Sequence, residues 1–200
     1  MKRILLIGPP GAGKTVIASK ITENYKIPFI KTGSLLRELS PSNPNYSVIN
    51  DAMKKGILAP NNLISQIVKD EVSKYQDGYV LDGWMRQMSD GDYFEPELDI
   101  VLFLSCPREV CKDRVLNRVV CSVHNTIYSF SDEVCHLCGG KLEKRSDDTE
   151  ETFKNRWDVY ENKTLPVIDY YREKKLLVEV DVNRDIPSII EDIDKILKNR

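Results

Sequence analysis

The stretch that decides the fold is Arg3 to Thr15, "RILLIGPPGAGKT". It opens with a continuous apolar run, which is typical of a strand buried on both faces of a parallel sheet. Residues 8–15 then match the pattern G-x-x-x-x-G-K-[ST], which requires a strand before it and a helix after it. A helical pattern does follow, from Lys14 to about Tyr25. The stretch therefore predicts a phosphate-binding turn at the end of the first strand of an α/β domain.

The chemistry of this turn explains its residue types. Glycines let main-chain amides point inward around a polyphosphate, and the start of the following helix adds its positive dipole end. Lys14 is expected to reach the outer phosphates, and Thr15 to bind Mg²⁺ or a phosphate oxygen. The residues predicted to hold a nucleoside triphosphate are Gly8, Gly11, Ala12, Gly13, Lys14 and Thr15. A turn that merely joins strand to helix is the alternative, and the motif alone does not separate kinases from GTPases or motor-type ATPases.

Beyond the turn, predicted strands and helices alternate along the chain. Further strands are predicted at 27–33, 78–83, 99–106 and 176–182, and helices at 46–55, 61–74, 108–118, 149–173 and 186–198. We expect Pro166 to kink the long polar helix. The alternation predicts a mostly parallel sheet with helices on both faces and ligands at the carboxyl ends of the strands. The segments 31–60 and 119–147 break the pattern and are interpreted as insertions.

Bulk composition excludes several classes of protein. The chain has 200 residues, a net charge of −2 and a pI of about 5.8, so we expect one domain and no nucleic-acid partner. No apolar run approaches the roughly 20 residues of a membrane helix. The start "MKRILLIG" is too short to be a signal peptide, since it meets Gly8-Pro9-Pro10. We expect a cytoplasmic protein without a membrane partner.

A group of cysteines lies inside the second insertion. Cys121-x₂-His124 and Cys135-x₂-Cys138 form two knuckle-like pairs separated by ten residues. Three thiolates and an imidazole suit tetrahedral Zn²⁺, and four protein ligands predict a structural rather than a catalytic ion. His136, inside the second pair, is sterically a poorer ligand. Unligated thiols or a disulfide are the alternatives.

Several short motifs together resemble those of one enzyme family. In order along the chain they are "KTGSLLRE" (31–38), "KGILAP" (55–60), "LDGWMR" (81–86), "RVLNR" (114–118), "CGGKLEKRSDD" (138–148) and "NRWDVY" (155–160). The chain resembles adenylate kinases and related nucleoside monophosphate kinases over nearly its whole length. The resemblance implies a P-loop NTPase-type five-stranded parallel sheet as core (1–30, 61–113 and 159–200). It also implies an acceptor-binding insertion (31–60) and a zinc-bearing lid (114–158).

The same resemblance implies a monomeric enzyme that moves the γ-phosphoryl group of Mg·ATP to AMP. Its acceptor site would comprise Thr32, Gly33, Arg37, Gly56, Ile57, Leu58, Ala59, Gly83, Arg86 and Asp90. Its catalytic residues would be Lys14, Arg86, Arg118, Arg145 and Arg156, with Arg114 and Arg118 on the donor ATP. Asp82 would hold a water of the Mg²⁺ shell with Thr15. Asp147 and Asp148 resemble paired acids that orient the arginines.

Each of these residues also has a plainer interpretation. A single arginine on a helix is usually a solvated surface charge, Asp82 can cap a strand end, and two acids can form a charged turn. Their joint occurrence at the family's spacing favours the functional interpretation. A non-catalytic nucleotide-binding homologue remains an alternative, as does a nucleic-acid-binding module built on the zinc knuckle, which the net charge disfavours.

The stretch "DGWMRQMSD" (82–90) departs from the family pattern D-G-[FY]-P-R. Met85 replaces the proline, and Asp90 stands where a glutamine usually contacts the acceptor base. The segment that follows is also about three residues shorter. A carboxylate only accepts hydrogen bonds, so it pairs better with guanine than with adenine N1. We expect Asp90 rather than Gln87 at the base, which leaves GMP or CMP as alternative acceptors to AMP.

Overall fold

The computed structural model describes residues 2–121, 123, 127–129 and 132–199, with only the backbone of 128 and 129. Its main sheet has five parallel strands in the order β2-β3-β1-β4-β8. These strands are β1 (Lys2–Ile7), β2 (Phe29–Lys31), β3 (Gly78–Asp82), β4 (Ile100–Ser105) and β8 (Leu177–Asp181). The five predicted strands are therefore confirmed, as is the parallel sheet.

Eight α-helices connect and cover the described strands. They are α1 (Lys14–Tyr25), α2 (Thr32–Arg37), α3 (Tyr46–Lys55), α4 (Asn61–Val72), α5 (Arg108–Leu116), α6 (Glu150–Val159), α7 (Leu165–Glu173) and α8 (Ile186–Lys198). Across the described ranges, none of these helices has both the length and the apolar content to span a bilayer.

The predicted long polar helix is interrupted by a wider turn. A π-helical turn, Tyr160–Thr164, joins α6 to α7, and the Leu165 amide donates to the carbonyl of Tyr160, five residues earlier. Pro166 lies just beyond this turn and has no amide to donate to the preceding turn, which explains the change of geometry there. The predicted interruption near Pro166 is confirmed.

The main sheet is buried on both faces, as the apolar run in β1 predicts. Ile4 and Leu6 lie in a core cluster with residues of α1 and α8. Leu5 and Ile7 lie in a second cluster with residues of α4 and α7. Because successive side chains of a strand point to opposite faces, this division places one helical layer on each side of the sheet.

The cysteine-bearing segment contains a second, antiparallel sheet that the sequence analysis did not predict. Its strands, in the order β6-β5-β7, are β5 (Arg118–Cys121), β6 (Ile127–Ser129) and β7 (Leu142–Glu143). Helix α5 ends at Leu116, so the prediction of helix to Arg118 was wrong. Strands of two to four residues are too short for a period-two pattern to be visible. Their small core consists of Val119, Cys121, Cys135 and Leu142.

Candidate nucleotide-binding site

A cavity of about 760 Å³ lies at the carboxyl edge of the main sheet. The turn after β1, the ends of β2 and β3, the ends of α3 and α5, and part of α6 line it. This is the edge at which ligands bind in open α/β sheets. The cavity brings together the predicted donor and acceptor residues, which come from segments far apart in the chain.

The turn after β1 has the geometry that phosphate binding requires. Gly11 and Gly13 have φ angles of 91° and 82°, in the left-handed region that favours glycine. A Cβ atom on Gly11 would lie 2.3 Å from the carbonyl oxygen of Cys111, so this position excludes any side chain. Lys14 Nζ donates to the carbonyls of Gly8 and Pro9, both at 2.8 Å. The lysine is thus folded over its own loop, at the place where phosphates would bind.

Two buried polar atoms near this turn have no hydrogen-bond partner among the described residues. They are Asp82 Oδ1, at the end of β3, and Thr32 Oγ1, at the start of α2. Both residues are almost fully buried and both line the cavity, as does Thr15. Because a buried polar atom without a partner is costly, such atoms mark places where a ligand, ion or water binds. The pair Asp82 and Thr15 therefore fits a hydrated Mg²⁺, and Thr32 fits a phosphate oxygen.

The main chain of Arg86 is held on both sides. Its amide donates to Asp90 Oδ2 at 2.8 Å, and its carbonyl accepts from Thr164 Oγ1 at 2.8 Å. Its guanidinium lies in the cavity, 3.0 Å from where a Cβ on Gly83 would stand. Enclosure by the cavity walls lowers the pKa of Arg86, and the charge of Asp82 opposes that shift. A side chain at position 83 would press on this guanidinium, and the φ of 94° there also favours glycine.

Three arginines form a charged network with two acids on the opposite wall. Arg118 donates two hydrogen bonds of 2.6 Å to Asp148, and Arg145 pairs with Asp147. Arg156 contacts both acids, at 2.6 Å from Asp147 and 3.3 Å from Asp148. Burial alone would raise the pKa of Asp147, but the hydrogen bonds and charges of Arg145 and Arg156 lower it strongly. The two acids thus hold the arginines in place, as the sequence predicts.

The acceptor side of the cavity is formed by the first insertion. Arg37 projects into it, and burial together with the charge of Arg145 lowers its pKa to about 10. Gly56 has a φ of 68°, and a Cβ there would lie 2.9 Å from the Thr152 carbonyl of α6. The other predicted acceptor residues that line the cavity are Gly33, Ile57, Leu58 and Ala59.

Asp90 lines the cavity and binds the main chain through one carboxylate oxygen. It is 4% exposed, and its Oδ2 accepts from the amides of Arg86 and Gln87, at 2.8 and 3.3 Å. It thereby closes a 3₁₀ turn that begins after Gln87. Met85, at the position of the family's proline, has a φ of 54°, which proline cannot adopt. The shortened segment is therefore a differently folded turn, and Gln87 also lines the cavity.

On the donor side, Arg114 is fixed by the end of the last strand. It donates to the Val182 carbonyl at 3.0 Å and to Cys106 Sγ at 3.5 Å. Residues after β8 that the sequence analysis missed also line this side, namely Val182, Arg184, Ile186 and Ile189. The signal that could have found them is their position after a parallel strand, at the edge where ligands bind.

Three cysteines meet in the small second sheet. The Sγ atoms of Cys121, Cys135 and Cys138 all lie within 4.8 Å of one another, and those of Cys121 and Cys138 are 3.7 Å apart. Sulfurs bound to one tetrahedral zinc at 2.3 Å would be about 3.8 Å apart. No disulfide joins any of the five cysteines, all of which the structure describes. The fourth predicted ligand, His124, lies outside the described residues.

Comparison with known proteins identifies relatives over the full length. The sequence model of the family described as "Adenylate kinase" matches residues 6–176. A protein named adenylate kinase from Methanosarcina barkeri is 38% identical over 211 aligned positions, which cover 98% of each chain. One of the same name from Thermoanaerobacter sp. is 36% identical, with 99% of each chain covered. A third, from Caldanaerobacter subterraneus, is 38% identical, with 98% of this chain and 96% of its own covered.

Proposed function

Since the chain belongs to the adenylate kinase family, we propose that it transfers the γ-phosphoryl group of Mg·ATP reversibly to AMP, giving two ADP. The chain is a phosphotransferase, and the name of the relatives, adenylate kinase, supports AMP rather than GMP or CMP as the acceptor. One observation carries the proposal. The phosphate turn, Arg86 and the three arginines of the opposite wall converge on one cavity that spans the donor and acceptor sides.

This convergence matches what phosphoryl transfer needs. The reaction demands in-line placement of two nucleotides, positive charge around the moving group and exclusion of water, with little other chemistry. Lys14 and the main chain of residues 8–15 would hold the donor phosphates. Arg86 and Arg37 would hold the acceptor phosphate. We propose that the arginines of the opposite wall turn from their acids toward the transferred group, namely Arg118, Arg145 and Arg156.

Two metal ions fit the residues present. Thr15 and Asp82 would hold Mg²⁺ and its waters beside the donor phosphates, where the ion would neutralise their charge. Cys121, Cys135 and Cys138 would hold a structural Zn²⁺, with His124 as the proposed fourth ligand. The cysteine spacing suits zinc, and zinc would stabilise a sheet whose own apolar core has only a few residues.

We propose that the chain divides into a core (1–30, 61–113 and 159–200), an acceptor-binding insertion (31–60) and a lid (114–158). The contacts between the insertion and α6 support it, since Asn155 Nδ2 donates to the Lys55 carbonyl at 2.9 Å. We further propose that the enzyme acts on free nucleotides as a monomer in the cytoplasm.

For the acceptor base, we propose that Gln87 rather than Asp90 makes the polar contact. An amide can donate to adenine N1 and accept from its exocyclic amine, whereas a carboxylate can only accept. Asp90 already accepts from two main-chain amides, and the same bonds fix Gln87 at the cavity wall. Asp90 would then position the residue that reads the base.

A coupled assay of ADP release tests the activity. Purified protein is given Mg·ATP with AMP, GMP, CMP or UMP in turn, and we expect turnover with AMP at least tenfold above that with any other acceptor. A strong preference for GMP would return the base contact to Asp90. ADP release without any acceptor would indicate an ATPase instead, and no turnover at all would favour the non-catalytic homologue.

The zinc site is tested by metal analysis of Cys135→Ser beside the unchanged protein. We expect about one zinc per chain in the unchanged protein, less in the variant, and a lower midpoint of thermal unfolding. Cys106→Ser is the matched control, because Cys106 lies on the donor side away from the metal cluster. Equal zinc content in all three proteins would contradict the site.

A further inference from the structure

Lys31 is a charged residue of the cavity that none of the roles above uses. It is the last residue of β2 and pairs in register with Asp82 of β3. Paired residues on neighbouring parallel strands have side chains on the same face, about 5 Å apart. The strand neighbours Phe29 and Val80 pack in the core cluster that contains Ile17 of α1. Because side chains alternate along a strand, Lys31 and Asp82 also project to the side of α1 and the phosphate turn.

The ammonium group of Lys31 has an unusual electrostatic setting. Among the described residues, no hydrogen-bond acceptor or carboxylate pairs with it, although the side chain is partly buried. Burial lowers its pKa to about 8, with Asp82 opposing the shift and Arg37, Arg145 and Arg118 adding to it. Asp82 is the nearest opposite charge, yet no direct hydrogen bond or ion pair among the described residues satisfies the ammonium group. A partly buried cation without such a partner is costly, which suggests that an anionic ligand supplies it.

The surroundings of Lys31 indicate which anion. Thr32 Oγ1 and Asp82 Oδ1, its sequence and sheet neighbours, are buried without partners. Thr15 lines the same cavity, and so do the arginines whose charges act on Lys31. Those arginines belong to both the acceptor side (Arg37) and the opposite wall (Arg118). A tetrahedral phosphate between the two nucleotides has enough oxygens to accept from Lys31 and Thr32 together.

We propose that Lys31 is a further phosphate-contacting residue, which binds the phosphoryl group from the sheet side as it passes between donor and acceptor. This inference rests on the proposed kinase function. The arginines of the opposite wall approach the same group from the lid side, so that Lys31 completes a ring of positive charge. Lysine suits this place as a compact charge with three donors, whereas the arginines supply planar pairs of donors.

The test compares Lys31→Met and Lys31→Arg with the unchanged enzyme. Methionine keeps much of the apolar stem and removes the charge. We expect kcat with ATP and AMP to fall about tenfold to hundredfold in Lys31→Met. Lys31→Arg should retain more activity. Lys20→Met is the matched control, since Lys20 pairs with Glu23 on the surface of α1, and its kcat should be unchanged.

Stability separates a ligand role from a structural one. If Lys31 serves the ligand, Lys31→Met removes a partly buried cation that makes no hydrogen bond or ion pair among the described residues, so the midpoint of thermal unfolding should stay equal or rise while kcat falls. A parallel loss of kcat and thermal stability would overturn the proposal, as would a kcat near that of the unchanged enzyme. A higher apparent affinity for Mg²⁺ at unchanged kcat would also overturn it, because the lysine would then act only on the metal beside Asp82.

A binding measurement keeps this inference separate from the proposed function. Calorimetric titration with Mg²⁺ and inorganic tripolyphosphate needs no turnover, and we expect about tenfold weaker binding by Lys31→Met than by the unchanged protein. If the unchanged protein fails to phosphorylate AMP but shows this difference, the proposed function fails and the phosphate contact stands. Equal tripolyphosphate affinity in both proteins would overturn the phosphate contact.

Discussion

The two ends of the cavity are built in different ways. At the phosphate end, glycines and ion pairs fix the geometry, and the motif residues lie where their spacing predicts. At the acceptor-base end, one buried carboxylate, Asp90, holds a turn that starts from the left-handed Met85. The difference teaches that a matching motif predicts position only where the chain between motif residues keeps its length. Where the chain is shorter, we propose that the same function passes to another residue.

The largest effect is expected from Arg86→Ala at the phosphate end. Removing one donor to the transferred group costs about 10²- to 10³-fold in kcat, or roughly 3 to 4 kcal/mol. The midpoint of thermal unfolding should change little, because the main chain of Arg86 is held independently of its side chain. Steady-state kinetics and a thermal melt measure both quantities. Arg172→Ala, on the surface of α7, is the control, and near-normal turnover of Arg86→Ala would remove the assigned role.

Two glycines of the phosphate turn provide an internal test of the close-packing argument. Gly11→Ala would place a Cβ 2.3 Å from a main-chain oxygen, whereas a Cβ on Gly13 would meet no described atom within 4 Å apart from its chain neighbours. Both have positive φ, so alanine costs about 1 to 2 kcal/mol at either position. We expect Gly11→Ala to lose about 2 kcal/mol more free energy of unfolding than Gly13→Ala, since a main-chain clash adds to the same strain. Chemical denaturation of both variants measures the difference, and equal losses would contradict it.

How much could be predicted from sequence differs between these ends for a physical reason. The parallel sheet and the phosphate turn follow from local signals, such as the apolar run of β1 and the glycine spacing. The antiparallel sheet around Cys121 could not be predicted, because its strands are too short to show a pattern. The role of Asp90 could not be predicted either. Asp90 stands at the position of a glutamine in the family pattern, but the segment after Arg86 is shorter here. The path of the chain through that segment depends on tertiary contacts, such as the hydrogen bond from Thr164 to the carbonyl of Arg86.

Met85→Pro tests whether the base end has truly left the family geometry. Proline fixes φ near −65°, whereas Met85 has a φ of 54° and a side chain only 1% exposed. Restoring the family residue should therefore destabilise the protein by about 2 kcal/mol or more. Met85→Leu keeps an apolar side chain of similar volume and should cost less than about 1.5 kcal/mol. If Met85→Pro is as stable as the unchanged protein, the turn can adopt a conformation that proline allows. The acceptor-base end would then not differ from the family pattern.

Asp90→Ala tests the carboxylate that holds this turn. The change leaves the amides of Arg86 and Gln87 without their acceptor, at a cost of about 1 to 3 kcal/mol in free energy of unfolding. The KM for AMP should rise, because Arg86 and Gln87 lose their position together. Asp90→Asn keeps one acceptor oxygen and should lie between the two proteins in both measurements. A change of acceptor preference toward CMP or UMP without loss of stability would show that Asp90 touches the base directly.

The smallest effect is expected from Gln87→Leu, which tests most directly whether the acceptor-base end departs from the family pattern. Leucine fills a similar volume but cannot hydrogen-bond to adenine, so the KM for AMP should rise about tenfold, which is about 1.4 kcal/mol. The KM for ATP and the thermal midpoint should stay close to those of the unchanged enzyme, since Gln87 lies on the acceptor side and its main-chain amide still bonds to Asp90. Gln66→Leu, on the exposed face of α4, is the matched control. If Gln87→Leu leaves the KM for AMP unchanged while Asp90→Asn raises it, Asp90 contacts the base, as the family's glutamine does at that position. Motif position would then predict the site residues at both ends of the cavity.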